Sequence, residues 1–152
     1  MITIPNFIKR IDSFVFYESS IMNIVIPDEV RVIGKHAFSY CRQLKNVEFS
    51  DESNLETIEE GAFMGSVIDS IIIPSEVTVI GKCAFARCNN LQDIKISSES
   101  KLQMIEEGAF DESAIKRIKI PNEVSVIKKR AFYKCRKLKY IEFSKKIKTS
   151  NN

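Results

Sequence analysis

The dipeptide Ala-Phe returns at a fixed rhythm along this chain, at Ala37-Phe38, Ala62-Phe63, Ala84-Phe85, Ala109-Phe110 and Ala131-Phe132, with a variant copy at Val15-Phe16. Successive phenylalanines stand 22, 25, 22, 25 and 22 residues apart, so the pattern closes every 47 residues. Repetition on this scale constrains a fold more than any other sequence feature, because each copy is one supersecondary unit too small to bury an apolar face alone. Only stacking of neighbours gives such units a common core.

Every phenylalanine sits in the same apolar frame. Eight positions before it stands Ile8, Val30, Leu55, Val77, Leu102 or Val124, and five before it Ile11, Ile33, Ile58, Ile80, Ile105 or Ile127. After it comes a unit of the form Leu-x-x-Ile-x-Ile, such as Leu91, Ile94 and Ile96. The last two apolar positions alternate with polar ones, which is the period of a strand with one buried face. Pro27, Pro74 and Pro121 follow the strand where a ladder donor is no longer needed. The first half of each copy, as in Val30 to Gly34, predicts a second short extended segment or tight coil on the opposite side. The stretch between the two is long enough only for a turn or one helical turn. The 25-residue spacing arises from one extra residue between Phe and strand and two in the following loop, where Phe49 to Leu55 replaces the Ile26 to Val30 type. Insertions in turns are what a stacked solenoid tolerates. Six coils at a strand spacing of about 4.8 Å predict a rod about 25–30 Å long.

Composition agrees with a packed core. Of 152 residues, 44% are apolar and 28% charged, with 5 Gly and 4 Pro, which excludes disordered and collagen-like classes. The net charge of +3 conceals an acidic middle, with 3 basic and 9 acidic residues over 51–100, and a basic end, with 14 and 6 over 101–152. No apolar run approaches the ~18 residues of a membrane span, and the first residues lack a basic region followed by an apolar run. No membrane span or export signal is therefore expected from these residues.

The sequence offers little to catalysis. His36 is the single histidine, and no phosphate-binding, dinucleotide-binding, zinc-protease or nucleophile-elbow motif occurs. Glu59-Glu60 and Glu106-Glu107 hold equivalent places in equivalent coils, which marks them as repeat features rather than an acid/base pair. Cys41, Cys88 and Cys135 each follow a Phe by three residues, with Ser19, Ser66 and Ser113 in the intervening coils. Cysteines two coils apart lie about 10 Å from one another, beyond the ~7 Å reach of a disulfide. They read as a ladder of small side chains that satisfies backbone groups under the turn. His36 and Cys83, in one column with Arg130, are expected to be exposed turn residues. No catalytic residue, metal ligand or cofactor is expected.

The copies IPDEVRVIGKHAFSYCRQLKNVEF and IPSEVTVIGKCAFARCNNLQDIKI resemble the BspA-like leucine-rich repeat family, with IPNEVSVIKKRAFYKCRKLKYIEF departing at Lys128, where Gly is usual. The resemblance covers Ile2 to Ser144. It implies a leucine-rich repeat solenoid of six stacked coils, with a parallel β-sheet on one face and short extended or turn segments on the other. Residues 1–144 are expected to form a single solenoid domain, and 145–152 a basic and polar tail. The family implies a surface or secreted protein of bacteria or parasitic protists, associated with adhesion to host matrix. Ile2-Thr3-Ile4-Pro5 aligns with Ile118-Lys119-Ile120-Pro121, so the chain is expected to begin inside a coil. Neither end carries a polar capping repeat; a truncated gene, a fragment and a short family member all fit.

The outward residues of the strands form the expected recognition ribbon. A protein or glycan ligand is placed on Asp93, Lys95, Arg117, Lys119 and Tyr140; the competing reading is a solvated face without a partner. From Lys128 to Lys148 ten Lys or Arg accompany one acid, Glu142. That composition suits a polyanion patch at Lys128, Lys129 and Arg130, or charges that keep a terminal strand from pairing with another chain. Nucleic acid is not the expected partner, and end-to-end self-association through the acidic and basic regions stays open. The functional expectation is a non-enzymatic interaction module, in the form of a cell-surface adhesin or antigen. The alternatives are an intracellular scaffold, to which the unpaired cysteines point, and a polyanion binder.

Overall fold

The computed structural model describes residues 2–144, so the tail expected at 145–152 lies outside the described residues. The strands, in chain order, are β1 (Ile2–Thr3), β2 (Arg10–Ile11), β3 (Asn23–Ile26), β4 (Val32–Ile33), β5 (Asn46–Phe49), β6 (Thr57–Ile58) and β7 (Ser70–Ile73). Then follow β8 (Val79–Ile80), β9 (Asp93–Ile96), β10 (Met104–Ile105), β11 (Arg117–Ile120), β12 (Val126–Ile127) and β13 (Tyr140–Phe143). All pairings are parallel, and the two-residue strands β2 to β12 form one six-stranded sheet in the order β2-β4-β6-β8-β10-β12, whereas β1 pairs with β3 on the other face. The four-residue strands cover the opposite face with side chains alternately exposed and buried, as in β9 and β11. The chain is thus a parallel β-solenoid of six coils, as its apolar frame requires.

Between the two faces the repeated apolar positions fill the core. Phe38, Phe63, Phe85 and Phe110 are fully buried, as are Leu44, Leu55, Leu91 and Leu102. The phenylalanines stack into one ladder from Phe16 to Phe132, with neighbouring centroids 5.2–5.6 Å apart and rings within 13° of parallel. That separation is the coil pitch imposed on the rings, and it falls in the range of offset stacking.

The turn that carries Ala-Phe holds a third ladder. The residues two before and two after every phenylalanine have left-handed φ, from Phe14 and Glu18 in the first coil to Arg130 and Lys134 in the last, and Gly61, Gly65 and Gly108 fill only three of these places. The left-handed residues stand four apart and bracket a turn in which every second N–H points to the next coil, while the N–H groups between them bond within the turn. His36, Phe38 and Tyr40 donate to the carbonyls of Glu60, Ala62 and Met64 at 2.9, 2.8 and 2.7 Å. A left-handed conformation costs a non-glycine residue about 1–2 kcal/mol. Here the inter-coil bonds on both sides over-determine it, the condition under which such strain persists.

The strand face is not one continuous sheet, as the sequence reading expects, but two. One has the order β1-β3-β5 and the other β7-β9-β11-β13. β3 with β5, β7 with β9, and β11 with β13 pair along all four residues, whereas β9 meets β11 only at Asp93 and Arg117 and β5 forms no ladder with β7. The 47-residue period is therefore a physical doublet of one Ser-type and one Cys-type coil, with a seam after each doublet. The extra loop residues of the Cys-type coil fall at this seam. Ser53 and Ser100, buried in these loops, accept from the backbone N–H groups of Leu55 and Leu102 at 3.3 and 3.1 Å. Glycine closes the doublet from the other side. A Cβ on Gly34 would lie 2.8 Å from the backbone of Ile11, and one on Gly81 would lie 2.6 Å from the carbonyl of Ile58.

Candidate ligand-binding face

Outward alternation along β9, β11 and β13 brings Asp93, Lys95, Arg117, Lys119 and Tyr140 into one shallow depression, with Glu142 at its edge. All five are exposed, Tyr140 by 70%. Arg117 stands between Asp93 and Tyr140 in register, and Lys119 faces Glu142. Continuing the β9–β11 register past its single bridge sets Lys95 opposite Lys119. Like charges opposite one another disfavour pairing, and these two lie where the ladder opens. Among the described residues Lys95, Arg117 and Lys119 enter no ion pair. The depression thus offers three cations and two carboxylates around an exposed phenol, at a seam. The corresponding seam between β5 and β7 is lined instead by Asn46, Glu48, Ser70 and Ile72.

The proposed polyanion residues are arranged differently. Lys128 pairs with Glu106 at 2.9 Å, Lys129 approaches Glu107 at 3.9 Å, and Arg130 approaches Asp111 at 3.9 Å while lying 4.3 Å over the Tyr133 ring. Their charge is matched by acids of the preceding coil. Lys128 holds the column that carries Gly34 and Gly81, and its N–H still reaches the Ile105 carbonyl at 2.9 Å.

Cysteine chemistry follows the ladder reading. Cys41, Cys88 and Cys135 donate to the carbonyls of Phe16, Phe63 and Phe110 at 3.0, 3.1 and 2.9 Å. With the thiol proton so used, Ser19, Ser66 and Ser113 donate to the sulfurs at 3.5–3.6 Å. Burial pushes the Cys88 thiol up to about 12 and raises Cys41 and Cys135 in the same direction, against the serine hydrogen bonds. Burial thus disfavours the thiolate form of all three. All four cysteines are unpaired.

His36 and Cys83 are half-buried rather than exposed, whereas Arg130 of the same column is exposed as expected. Glycine in the following coil makes the recess: the His36 ring lies where a Cβ of Gly61 would be, and the Cys83 sulfur is 3.1 Å from that of Gly108. His36 also stacks on Phe14 at 5.2 Å. Its Nδ1 is 2.9 Å from the Ser39 hydroxyl, which donates to the Gly61 carbonyl, so Nδ1 carries the proton. This Ser–His contact is structural, because Ser39 is fully buried. Sequence inspection finds no such pair, since the contact depends on the turn and not on a repeated spacing.

Comparison with known proteins matches this architecture to one family. The model for the BspA type leucine rich repeat region finds six copies, over residues 1–92 and 56–152. The chain belongs to the BspA-type leucine-rich repeat family. Among solved structures, this BspA-type chain is 29% identical to the pneumococcal vaccine antigen PcpA, with a TM-score of 0.78 over 81% of this chain and 30% of that one. A leucine-rich cell surface protein of Faecalibacterium prausnitzii is 26% identical, with a TM-score of 0.62, 90% of this chain and 43% of that one covered. A leucine-rich repeat protein of Bacteroides ovatus is 28% identical, with a TM-score of 0.62 over 88% and 40%. The chain spans less than half the length of each of these three. No curated protein matches. Family and architecture together make the chain a repeat-based interaction module. Among the described residues no helix is long and apolar enough to cross a membrane.

Proposed function

We propose that residues 1–144 act as one non-enzymatic binding unit that takes a protein or glycan ligand on its strand face, in the role of a cell-surface adhesin or antigen. The observation that carries this reading is the convergence of Asp93, Lys95, Arg117, Lys119 and Tyr140 in a depression at the β9–β11 seam. Charged side chains of both signs around an exposed tyrosine form a recognition surface, since aromatic and arginine anchors dominate interface energies. The description of the F. prausnitzii relative as a cell surface protein, and of PcpA as a vaccine antigen, supports the location.

The test is a binding screen of the purified chain against immobilised extracellular-matrix proteins and a glycan array, repeated with the Arg117→Glu/Tyr140→Ala variant. A specific hit that weakens at least tenfold in the variant is expected, as truncating interface anchors costs about 2 kcal/mol or more. A hit insensitive to these positions would remove the strand face as the site. The four unpaired thiols favour the second reading, an intracellular scaffold. Surface biotinylation of the native cell decides between them, and a protein that stays unlabelled in intact cells overturns the adhesin role.

A further inference from the structure

A separate groove lies on the flank of the third doublet, between the turn of its Ser-type coil and that of its Cys-type coil. Glu112, Ser113 and Ala114 form one wall, Lys134, Arg136 and Lys137 the other, and Asn89 of the preceding coil closes it. The extra residue that each Cys-type coil carries before its strand makes the room. The floor is rigid: Ser113 donates to the Cys135 sulfur at 3.5 Å, and that thiol donates to the Phe110 carbonyl at 2.9 Å. Nothing in that chain of bonds holds the cations.

Repetition supplies an internal reference. The first doublet has the same groove, lined by Glu18, Tyr40, Arg42 and Gln43, with one cation against one acid. At the corresponding places the second doublet has Arg87, Asn89 and Asn90. The third alone collects three cations, and it extends them. Lys139 donates its N–H to the Lys116 carbonyl at 3.0 Å, so these two side chains leave neighbouring positions beside the strand face. None of these five cations enters an ion pair among the described residues, in contrast to Lys128, Lys129 and Arg130. Lys134 and Lys137 stand at most about 11 Å apart along the chain. That upper bound is about one and a half Debye lengths at physiological salt, so the fields of neighbouring cations overlap in part.

We infer that this groove is an anion-binding site for the sulfate groups of a linear acidic polysaccharide. Guanidinium and ammonium donors in a concave recess match an oxyanion, and the Lys116–Lys139 pair continues the track for the next sulfate. Nucleic acid fits less well, because the groove lining holds no aromatic ring on which a base could stack, and neighbouring Tyr133 already carries Arg130 at 4.3 Å and Lys134 at 5.4 Å. The basic composition of the C-terminal region thus acts through Lys134, Arg136 and Lys137, displaced from the residues that the sequence alone singles out.

The test uses a heparin-type sulfated oligosaccharide as probe, titrated at several salt concentrations against the whole chain and three variants. Lys134→Glu/Arg136→Glu/Lys137→Glu is expected to weaken binding at least tenfold and to flatten the dependence of log K on log salt. Lys128→Gln/Lys129→Gln and the strand-face variant Arg117→Glu/Tyr140→Ala are expected to stay within about threefold. The three groove side chains are exposed, and unchanged melting of the triple variant verifies its fold. Binding retained by the triple variant overturns the inference, as does a loss carried equally by Lys128 and Lys129. Loss confined to the strand-face variant assigns the glycan to the site proposed above and likewise overturns it. Tighter binding of single-stranded DNA of equal charge would assign the groove to nucleic acid instead.

Discussion

Replacing Phe85 by Ala tests whether the phenylalanine ladder holds the coils together. The ring is fully buried and lies between Phe63 at 5.4 Å and Phe110 at 5.5 Å, nearly parallel to both. Truncation removes its transfer energy, leaves a cavity, and ends two stacking contacts. Fully buried Phe→Ala changes cost about 3–5 kcal/mol, and the backbone ladders on either side of residue 85 resist the collapse that would fill the space. For a chain of this length the loss corresponds to a drop in melting temperature of about 6–20 °C. Urea denaturation followed by circular dichroism measures it. Phe132→Ala is the comparison: that ring is half-buried and stacks on Phe110 alone, so about half the cost is expected. A loss below about 1 kcal/mol for Phe85→Ala would refute the buried ladder. Equal losses at Phe85 and Phe132 would refute the claim that neighbours on both sides set the magnitude. A solenoid broken in its fourth coil can also unfold in two steps, in which case the first transition carries the effect.

Three further outcomes follow from the same structure. Gly81→Ala places a Cβ 2.6 Å from the Ile58 carbonyl and 2.7 Å from the backbone of Glu59; a loss of about 1–3 kcal/mol by denaturant titration is expected from overpacking, and a neutral substitution would show that the doublet is not pinched there. The unfolded thiol of Cys88 ionises near about pH 8.5, whereas the buried one is pushed up to about 12. The folded chain therefore keeps a proton that the unfolded chain releases, so this stability is intact below pH ~8.5 and falls as pH rises toward 12, by about 3 kcal/mol at pH 11. Melting temperatures from pH 8 to 11 should decline less steeply in Cys88→Ala, and identical slopes would remove the thiol as the cause. Iodoacetamide at pH 8 should modify Cys83 before the other three, since it alone lies outside the Ser–Cys ladder; prior labelling of Cys88 in the folded chain would contradict its burial.

Much of this molecule was legible in one dimension. A column of residues recurring every 22 or 25 positions must occupy one place in a stacked coil. The buried Phe, Ile and Leu positions, the outward strand residues and the Ser–Cys ladder all follow from that alone. The strand-face candidates were readable for the same reason, since alternation decides which side chains point out. Side-chain charge pairing was not. Whether Lys128 is free or held depends on Glu106 in the coil beneath it, and a sequence lays these 22 residues apart.

What the sequence by itself determined is therefore the translational part of the structure: coil number, pitch order, core columns and family. Tertiary structure decided what depends on contact between coils. It turned two spacings into doublets separated by seams, because backbone closure at Gly34 and Gly81 and loop length act on opposite sides of the coil. It also placed non-glycine residues such as His36, Tyr40 and Cys83 in left-handed conformations, where no propensity would put them. Each pays that local cost through N–H groups that reach the next coil, and such bonds exist only once the coils are stacked.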